Sequence, residues 1–217
     1  MKNKYLMILS ILFASVFTMN FRCEKELVLP YEQNFEATVN IYPLKKVYTL
    51  SDTIWLETNL PTKFLFDKIS KQNVIADTGA ITFDGNFNIF GTSIRNPSNG
   101  FCDVISLNGI NVDRTLYDWG TKVYIRGFGC GRSDYKLKVG FKPNIKGTYH
   151  INLNERPLES CPNKVIPYYA TLSYKFPNVD LGLDIFNSLS QNDKGGNNGK
   201  FYMDKIKERE IFVFKVE

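Results

Sequence analysis

Side chains that can act as nucleophiles or metal ligands are few in this chain. It contains a single histidine, His150, and four cysteines, at positions 23, 102, 130 and 161. No two cysteines stand two to four residues apart, the spacing that structural zinc sites commonly use. His150 lies in an alternating segment with Tyr149 and Ile151 directed to the opposite side, which predicts a histidine on a strand surface. We therefore expect neither a Ser-His-Asp or Cys-His arrangement nor a metal centre.

One short motif matches a catalytic signature. Asp77-Thr78-Gly79-Ala80 follows an apolar run at 74–76 and resembles the signature of aspartic proteases, including the retroviral kind. Those enzymes use two aspartates that share a proton, and the sequence holds no second Asp-Thr-Gly or Asp-Ser-Gly. The resemblance therefore implies a dimeric peptidase that uses Asp77. The alternative, which we expect, is a turn between two strands, because Asp, Thr and Gly are ordinary turn residues.

The pair Asp84-Gly85 permits two interpretations. The segment from Asp84 to Asn88 resembles the opening of a calcium-binding loop, but Ile89 and Arg95 occupy the positions that need Gly and Glu. An Asp-Gly pair between two alternating segments is also a strong signal for a hairpin turn. The sequence therefore predicts a turn at Asp84-Gly85, between strands at 80–83 and 86–90.

Two further polar features lie near the C-terminus. Asp180 and Asp184 occupy one face of a helix predicted at 180–190, but the sequence indicates no partner pair that would complete a metal site. The Gly/Asn-rich segment 191–200 lacks the spacing of a phosphate-binding loop. We expect solvated carboxylates and a flexible loop, and we predict no cofactor.

The N-terminus has the pattern of an export signal. Lys2 and Lys4 precede an uncharged, mostly apolar run at 5–21, and Arg22 follows it. A short basic head followed by an apolar run of this length is typical of a signal peptide. We predict a signal peptide at 1–22 and a mature protein in the periplasm, at the outer membrane surface or outside the cell.

The segment after the leader resembles the start of a mature bacterial lipoprotein. It reads Cys23-Glu24-Lys25-Glu26, and in lipoproteins the first cysteine carries a lipid and a short polar tether follows. The resemblance implies membrane attachment through a lipid on Cys23 and a tether at 23–36. Arg22 stands where lipoproteins have a small residue, so the alternative is an unmodified Cys23 that is available for a disulfide.

Export makes disulfide bonds plausible. Cys130 and Cys161 each lie in a loop-like setting and flank the same pair of strands, so we predict that they are bonded to each other. Closing that loop stabilises a fold by about 3–4 kcal/mol in the chain-entropy model. If Cys23 carries a lipid, Cys102 is left unpaired. If it does not, Cys23 and Cys102 can form a second bridge.

The charge balance argues against a polyanionic partner. The whole chain has 27 basic and 22 acidic side chains. Lys2, Lys4 and Arg22 belong to the leader, which leaves the mature part with 24 basic side chains and a net charge of +2. Its basic residues are scattered among acidic ones rather than grouped in a block. We therefore expect no nucleic acid partner.

The remaining sequence has the character of an all-β domain. Short segments with strand character follow one another at 37–176, with turn residues and no long helical pattern between them. This arrangement predicts an antiparallel β-sandwich. Residues 177–217 are predicted as a small mixed α/β extension with a short helix, a loop and a closing strand at 211–216. The predicted strands lie at 37–42, 52–58, 63–67, 73–76, 80–83, 86–90, 101–107, 122–127, 135–141, 148–153 and 166–176.

Two segments resemble bacterial immunoglobulin-like (Ig-like) domains, and the chain as a whole is similar to small uncharacterised exported proteins of Gram-negative envelopes. Residues 48–56 resemble the entry of an early core strand. Residues 143–151 resemble the turn-Gly-x-Tyr entry of a late strand, which implies that the Tyr149 hydroxyl bonds back to the backbone. The resemblance implies an Ig-like sandwich and carries no known activity.

Aromatic residues in a loop are the last candidate site. Tyr117 and Trp119 lie in a loop predicted at 116–120, where exposed rings can stack on sugars or contact a protein. We predict a non-catalytic structural or binding module of the cell envelope, not an enzyme, whose partner is an envelope protein or a glycan. The alternative is glycan or surface-ligand binding through Tyr117 and Trp119.

Overall fold

The computed structural model describes most of the chain after residue 31. The described residues are 32–76, 79–91, 100–106, 112–118, 120–128, 130, 132–161, 169–177, 182–194 and 196–217. The predicted signal peptide and Cys23 lie outside them. The chain from Tyr31 to Glu217 forms one compact unit.

Strands dominate this unit, and its helices are short. The strands are β1 (Glu32–Thr38), β2 (Asn40–Tyr42), β3 (Val47–Tyr48), β4 (Ile54–Leu60), β5 (Phe64–Asp67), β6 (Gln72–Ile75), β7 (Gly79–Ile89), β8 (Cys102–Ser106), β9 (Asp113–Tyr117), β10 (Gly120–Phe128), β11 (Tyr135–Pro143), β12 (Gly147–Leu153), β13 (Arg156–Pro157), β14 (Glu159–Ser160), β15 (Tyr169–Lys175) and β16 (Ile211–Val216). The helices are α1 (Leu183–Ser188) and α2 (Gly199–Lys207), and short 3-10 turns lie at Pro61–Lys63 and Gly196–Asn198.

The strands form three sheets that pack as a sandwich. One sheet has the order β13-β15-β1-β5-β6, and another has the order β2-β4-β11-β8. The largest has the order β3-β16-β12-β7-β10-β9, and β14 also pairs with β7. Among the described pairs, β1–β15 and β3–β16 are parallel and the others are antiparallel. The predicted mainly β sandwich is thus confirmed.

Aromatic side chains join the sheets in one core. Phe87 of β7 stacks on Phe141 of β11 at a centroid distance of 5.3 Å, which links the seven- and four-stranded sheets. Phe83 of β7 meets Tyr174 of β15 edge-on at 5.8 Å, which links the seven- and five-stranded sheets. Burial of each such ring contributes about 1.5–3 kcal/mol.

The tyrosine predicted from the Ig-like resemblance occupies the expected position. The Tyr149 hydroxyl donates a hydrogen bond to the Ile145 carbonyl at 2.7 Å. Tyr48 makes a similar bond, from its hydroxyl to the Pro43 carbonyl at 2.6 Å. Both rings are fully buried, so each bond satisfies a hydroxyl that has left water and fixes the backbone turn beside its strand.

The two ends of the unit differ from the predicted domain boundaries. β1 begins at Glu32, inside the segment predicted as a polar tether, and its Gln33 and Phe35 side chains are buried. The closing strand occurs at the predicted residues, but it pairs with β12 and β3 inside the largest sheet rather than in an extension. Both termini of the unit are therefore part of the sandwich.

The predicted turn at Asp84-Gly85 is wrong. β7 runs without interruption from Gly79 to Ile89. A Cβ atom on Gly85 would lie 2.9 Å from Phe83 Cε1 and 3.2 Å from Leu153 Cδ2, so the glycine allows a close approach within a strand rather than a turn. The strands predicted at 63–67 and 73–76 do occur, as β5 and β6, and they pair as an antiparallel hairpin.

Candidate binding surfaces

Asp84 is the centre of a buried charge cluster on the outer face of the largest sheet. Its carboxylate has no exposed surface and lies 3.2 Å from Lys122 Nζ. Arg156 donates to it from Nε at 2.6 Å and also from Nη2, and Asn154 Nδ2 donates at 3.1 Å. Because two cations and an amide already hold this carboxylate, the Asp84 cluster can fix strands in place but offers no base for catalysis.

His150 lies on the same face, under the C-terminal helices. Its ring stacks against Phe90 at 4.4 Å and contacts Tyr202 of α2 at 5.2 Å, which leaves 4% of the residue exposed. The Asn88 amide donates to Nε2 at 3.2 Å, and Nδ1 has no hydrogen-bond partner among the described residues. Tyr149 and Ile151 do face the opposite side, but the predicted surface histidine is wrong because α2 covers it.

Burial makes His150 a source of pH dependence. Loss of contact with water lowers its pKa to about 3, against about 6.5 in an unfolded chain. The unfolded state therefore binds the proton more strongly than the folded state. The folded state accordingly has its full stability above pH 6.5 with respect to this group, and the free energy of unfolding decreases as the pH falls towards 3. We expect the free energy of unfolding to be about 2 kcal/mol lower at pH 5 than at pH 8 from this group.

Chemical denaturation between pH 5 and pH 8 measures this effect. His150→Leu should flatten the profile, because the chain has no other histidine. His150→Leu changes the packing to the same extent at every pH. The readout is therefore the slope of the free energy of unfolding against pH, not its absolute value. An unchanged slope in His150→Leu would show that another group carries the dependence.

A cleft opens beside these residues, between α2 and the strands β12 and β15. Its volume is about 220 Å³, and its lining includes Asn152, Asn154, Glu155, Phe201 and Lys205. The Oδ1 atom of Asn152 is buried without a hydrogen-bond partner among the described residues. Phe201, in contrast, is 55% exposed. The cleft thus combines polar side chains with an exposed aromatic ring.

A second surface is apolar. Phe64, Phe66, Ile69 and Ile75, here called the apolar strip, are each between 40% and 51% exposed. Phe64 lies opposite Ile75 in the β5–β6 register, so their side chains share one face. β6 ends the described order of its sheet. Exposed apolar groups that lie together beside a sheet edge are typical of contact sites for another protein.

The predicted disulfide is present. Cys130 and Cys161 are bonded, with Cα atoms 5.5 Å apart. Cys102 is a buried thiol with no disulfide partner among the described residues, and burial raises its pKa to about 12. Whether Cys23 is lipidated stays a prediction, because Cys23 lies outside the described residues.

The other predicted site residues are only partly described. Tyr117 ends β9 and pairs with Gly120 of β10, so it belongs to a strand rather than to the predicted loop. Trp119, Asp77 and Asp180 lie outside the described residues. Asp184 is exposed and forms an ion pair with Lys46 at 2.6 Å. The described residues contain no group of three or more His, Cys, Asp or Glu that could hold a metal ion.

Sequence reasoning missed the apolar strip and the cleft. The signal for the strip was available, because Phe64-Leu65-Phe66 places apolar side chains on both faces of a strand. The signal for the cleft was not, because its lining comes from β12, β15 and α2 together. Among the described helices, none is long and apolar enough to cross a membrane.

Comparison with known proteins gives no family. No protein-family profile matches the chain, and no curated protein matches it. Among solved structures, the chain is similar to a cohesin module from a Clostridium perfringens family 33 glycoside hydrolase, with 12% identity and a TM-score of 0.32, over 65% of this chain and 98% of that one. It is also similar to a non-cellulosomal cohesin from the hyperthermophilic archaeon Archaeoglobus fulgidus, with 11% identity and a TM-score of 0.29, over 68% of this chain and 92% of that one. Sequence identities and TM-scores this low do not support assigning the function of these proteins to this chain.

Proposed function

We propose that this chain is an exported, non-catalytic binding module that uses its apolar strip to hold another protein of the cell envelope. The observation that carries the proposal is the strip itself. Its four apolar side chains are exposed at the end of a sheet, and a soluble domain gains nothing in folding from that exposure. Binding of a partner that covers these side chains gains the free energy of burying their apolar surface.

The strip has the composition of a protein contact site. Phe64 and Phe66 bring rigid aromatic area, and Ile75 extends it across to β6. Glu36 of β1 lies opposite Phe66 in the register, so a charged group borders the apolar area. Interfaces usually combine an apolar centre with a polar rim. The adjacent edge of β6 can also pair with an extended segment of the partner.

Export is the second part of the proposal. The leader at 1–22 and the Cys130–Cys161 bond support it, because disulfides persist mainly in oxidising compartments. Lipid attachment at Cys23 would place the module on a membrane surface. Glycan binding through Tyr117 and Trp119 and peptidase activity through Asp77 remain predictions without support from the described contacts.

Site-specific photo-crosslinking in the producing cell tests the strip. A photoreactive residue at position 66 or 75 should give the same discrete adduct with one envelope protein. The same group at Lys200, an exposed position on α2, should not give it. Phe64→Ser in the same chain should weaken the contact about tenfold, since buried interface aromatics contribute more than 1 kcal/mol each.

Two results would contradict the proposal. One is an adduct pattern at positions 66 and 75 that matches the pattern at Lys200. The other is an adduct of twice the chain's mass, which would make the partner a second copy of this chain. Phe64 is exposed in the folded chain, so Phe64→Ser should change stability little, and thermal unfolding of the variant checks this.

A further inference from the structure

We propose that the outer face of the four-stranded sheet binds an extended, neutral polysaccharide chain along one row of aromatic and apolar side chains. The row crosses the sheet in register, and we call it the cross-strand row. It consists of Tyr42 on β2, Trp55 on β4, Gly140 on β11 and Ile105 on β8. The row lies on a different sheet from the apolar strip and does not depend on the proposed function.

The outward direction of the row follows from alternation along the strands. Successive side chains of a strand point to opposite faces of its sheet. Ile54 and Leu56 are fully buried in the core, so Trp55 between them points outwards. The register partners of Trp55 share its face, and Tyr42 is 68% exposed there.

Gly140 allows the indole ring to lie across the neighbouring strand. A Cβ atom on Gly140 would lie 2.8 Å from Trp55 Cζ3 and 2.9 Å from Trp55 Cε3. The six-membered ring of Trp55 thus occupies the space above β11 that a side chain would otherwise fill. Trp55 is partly exposed in this position and lies beside Tyr42 in the register. Two neighbouring aromatic side chains on a sheet face can stack on the apolar faces of sugar rings.

The dimensions of the row fit a linear chain better than a folded protein. Neighbouring strands lie about 4.8 Å apart, so the two ends of the row are about 14 Å apart. The row is only one residue wide. A standard protein interface covers about 800 Å² on each partner, which is far more than such a row provides. An extended polysaccharide is similarly long and narrow, with apolar ring faces and hydroxyl groups along its edges.

Polar side chains border the row on both sides. On one side, Lys138 Nζ and Glu57 Oε2 are 3.7 Å apart, and Asn40 lies opposite Glu57 in the register. On the other side, Lys142 lies opposite Asp103. Each border therefore offers both donors and acceptors. Hydroxyl groups can use both, whereas a phosphate or carboxylate ligand would also meet the two acidic side chains.

Lys138 also contacts the row itself. Its Nζ atom lies over the Trp55 ring, 5.4 Å from the centroid. Lys138 and Glu57 are both about one-third exposed, and solvent-accessible cation–π contacts and ion pairs are weak. A sugar ring that stacks on Trp55 therefore displaces the ammonium group to the edge of the indole, where it can donate to a hydroxyl.

Affinity electrophoresis of the chain from residue 23 to residue 217 tests the row. Native gels contain one soluble polysaccharide with extended β-linked chains, which is hydroxyethylcellulose, glucomannan or arabinoxylan. Soluble starch, whose α-linked chains coil, is the comparison. We expect at least one of the three β-linked polysaccharides to retard the chain and starch to retard it less.

Variants of the row identify the residues that bind. Tyr42→Ala and Trp55→Ala should each raise the Kd by about tenfold or more. Gly140→Ala should also weaken binding, because its Cβ atom displaces the indole. The matched control is Tyr169→Ala, since Tyr169 is a 57% exposed tyrosine on the five-stranded sheet, and its loss should leave binding unchanged. Tyr42 is more exposed still, so Tyr42→Ala should keep the fold, and thermal unfolding checks each variant.

Further variants separate the row from the other surfaces. Phe66→Ser, on the apolar strip, should leave retardation unchanged, so failure of the row is distinguishable from failure of the proposed function. The proposal is overturned if none of the three β-linked polysaccharides retards the chain, or if starch retards it as strongly as they do. It is also overturned if folded Tyr42→Ala is retarded as strongly as the unmodified chain. Loss of retardation in Trp119→Ala but not in Tyr42→Ala would assign binding to Trp119 instead.

Discussion

Asp84→Ala is expected to lower the free energy of unfolding by about 3–5 kcal/mol, the usual loss when one member of a buried ion pair is removed. Asp84 has no exposed surface, and Lys122 and Arg156 both direct their charges at it. Without the carboxylate, two cations remain close together with no anion between them. Arg156 also holds β13 near β7, so loss of Asp84 should loosen that corner of the sandwich.

Urea denaturation of the chain from residue 23 to residue 217 at pH 7 measures the change. Glu57→Gln is the matched control, because Glu57 also pairs with a lysine across two strands, Lys138, at 3.7 Å but in a solvent-accessible position. Its effect should stay within about 0.5 kcal/mol. If Asp84→Ala were as mild as Glu57→Gln, the cluster would not be an electrostatic anchor.

A second comparison separates the net contribution of the intact ion cluster to stability from the destabilisation caused by removing only one of its members. Replacing Asp84, Lys122 and Arg156 together by Leu, Met and Met removes every member of the ion cluster. Apolar replacement of a whole buried cluster is often neutral or stabilising. We therefore expect the triple variant to be more stable than Asp84→Ala. The opposite order would mean that the Lys122 and Arg156 side chains stabilise the fold without the carboxylate, as the contact of Arg156 with the Tyr124 ring allows.

The Asp84 cluster also shows where sequence reasoning reached its limit. Local pattern alone made Asp84-Gly85 a turn, since both residues favour turns in short segments. The partner that reverses this preference, Arg156, lies 72 residues away in the chain. Tertiary pairing of the carboxylate and the close approach at Gly85 together outweigh a local propensity of about 1 kcal/mol.

The strand positions themselves were predictable because they depend on nearby residues. The closing strand at 211–216 and the strands β5 and β6 follow from the local pattern of apolar and polar residues, and they occur within one residue of the predicted positions. Which faces are covered is not a local property. His150 has the pattern of a surface residue, and α2, some 50 residues later, is what buries it.

Loss of the Cys130–Cys161 bond is the second large effect that we expect. The bond joins residues separated by 31 positions, and opening a loop of that length releases about 3–4 kcal/mol of chain entropy to the unfolded state. The double variant Cys130→Ser and Cys161→Ser should therefore unfold at a clearly lower urea concentration than the oxidised chain. Reduced unmodified protein should match the double variant, and the reductant should not affect the double variant further.

The same bond connects stability to compartment. A chain expressed without residues 1–22 stays in a reducing cytoplasm, so Cys130 and Cys161 should react with a maleimide after denaturation, whereas in the exported chain they should be protected. Cys102 has no disulfide partner among the described residues, so it should react in both forms once the chain is unfolded and serves as the internal standard. Equal labelling of the two forms would contradict export into an oxidising compartment. Equal urea midpoints for the oxidised chain and the double variant would instead contradict a stabilising role for the bond, so the two inferences fail independently.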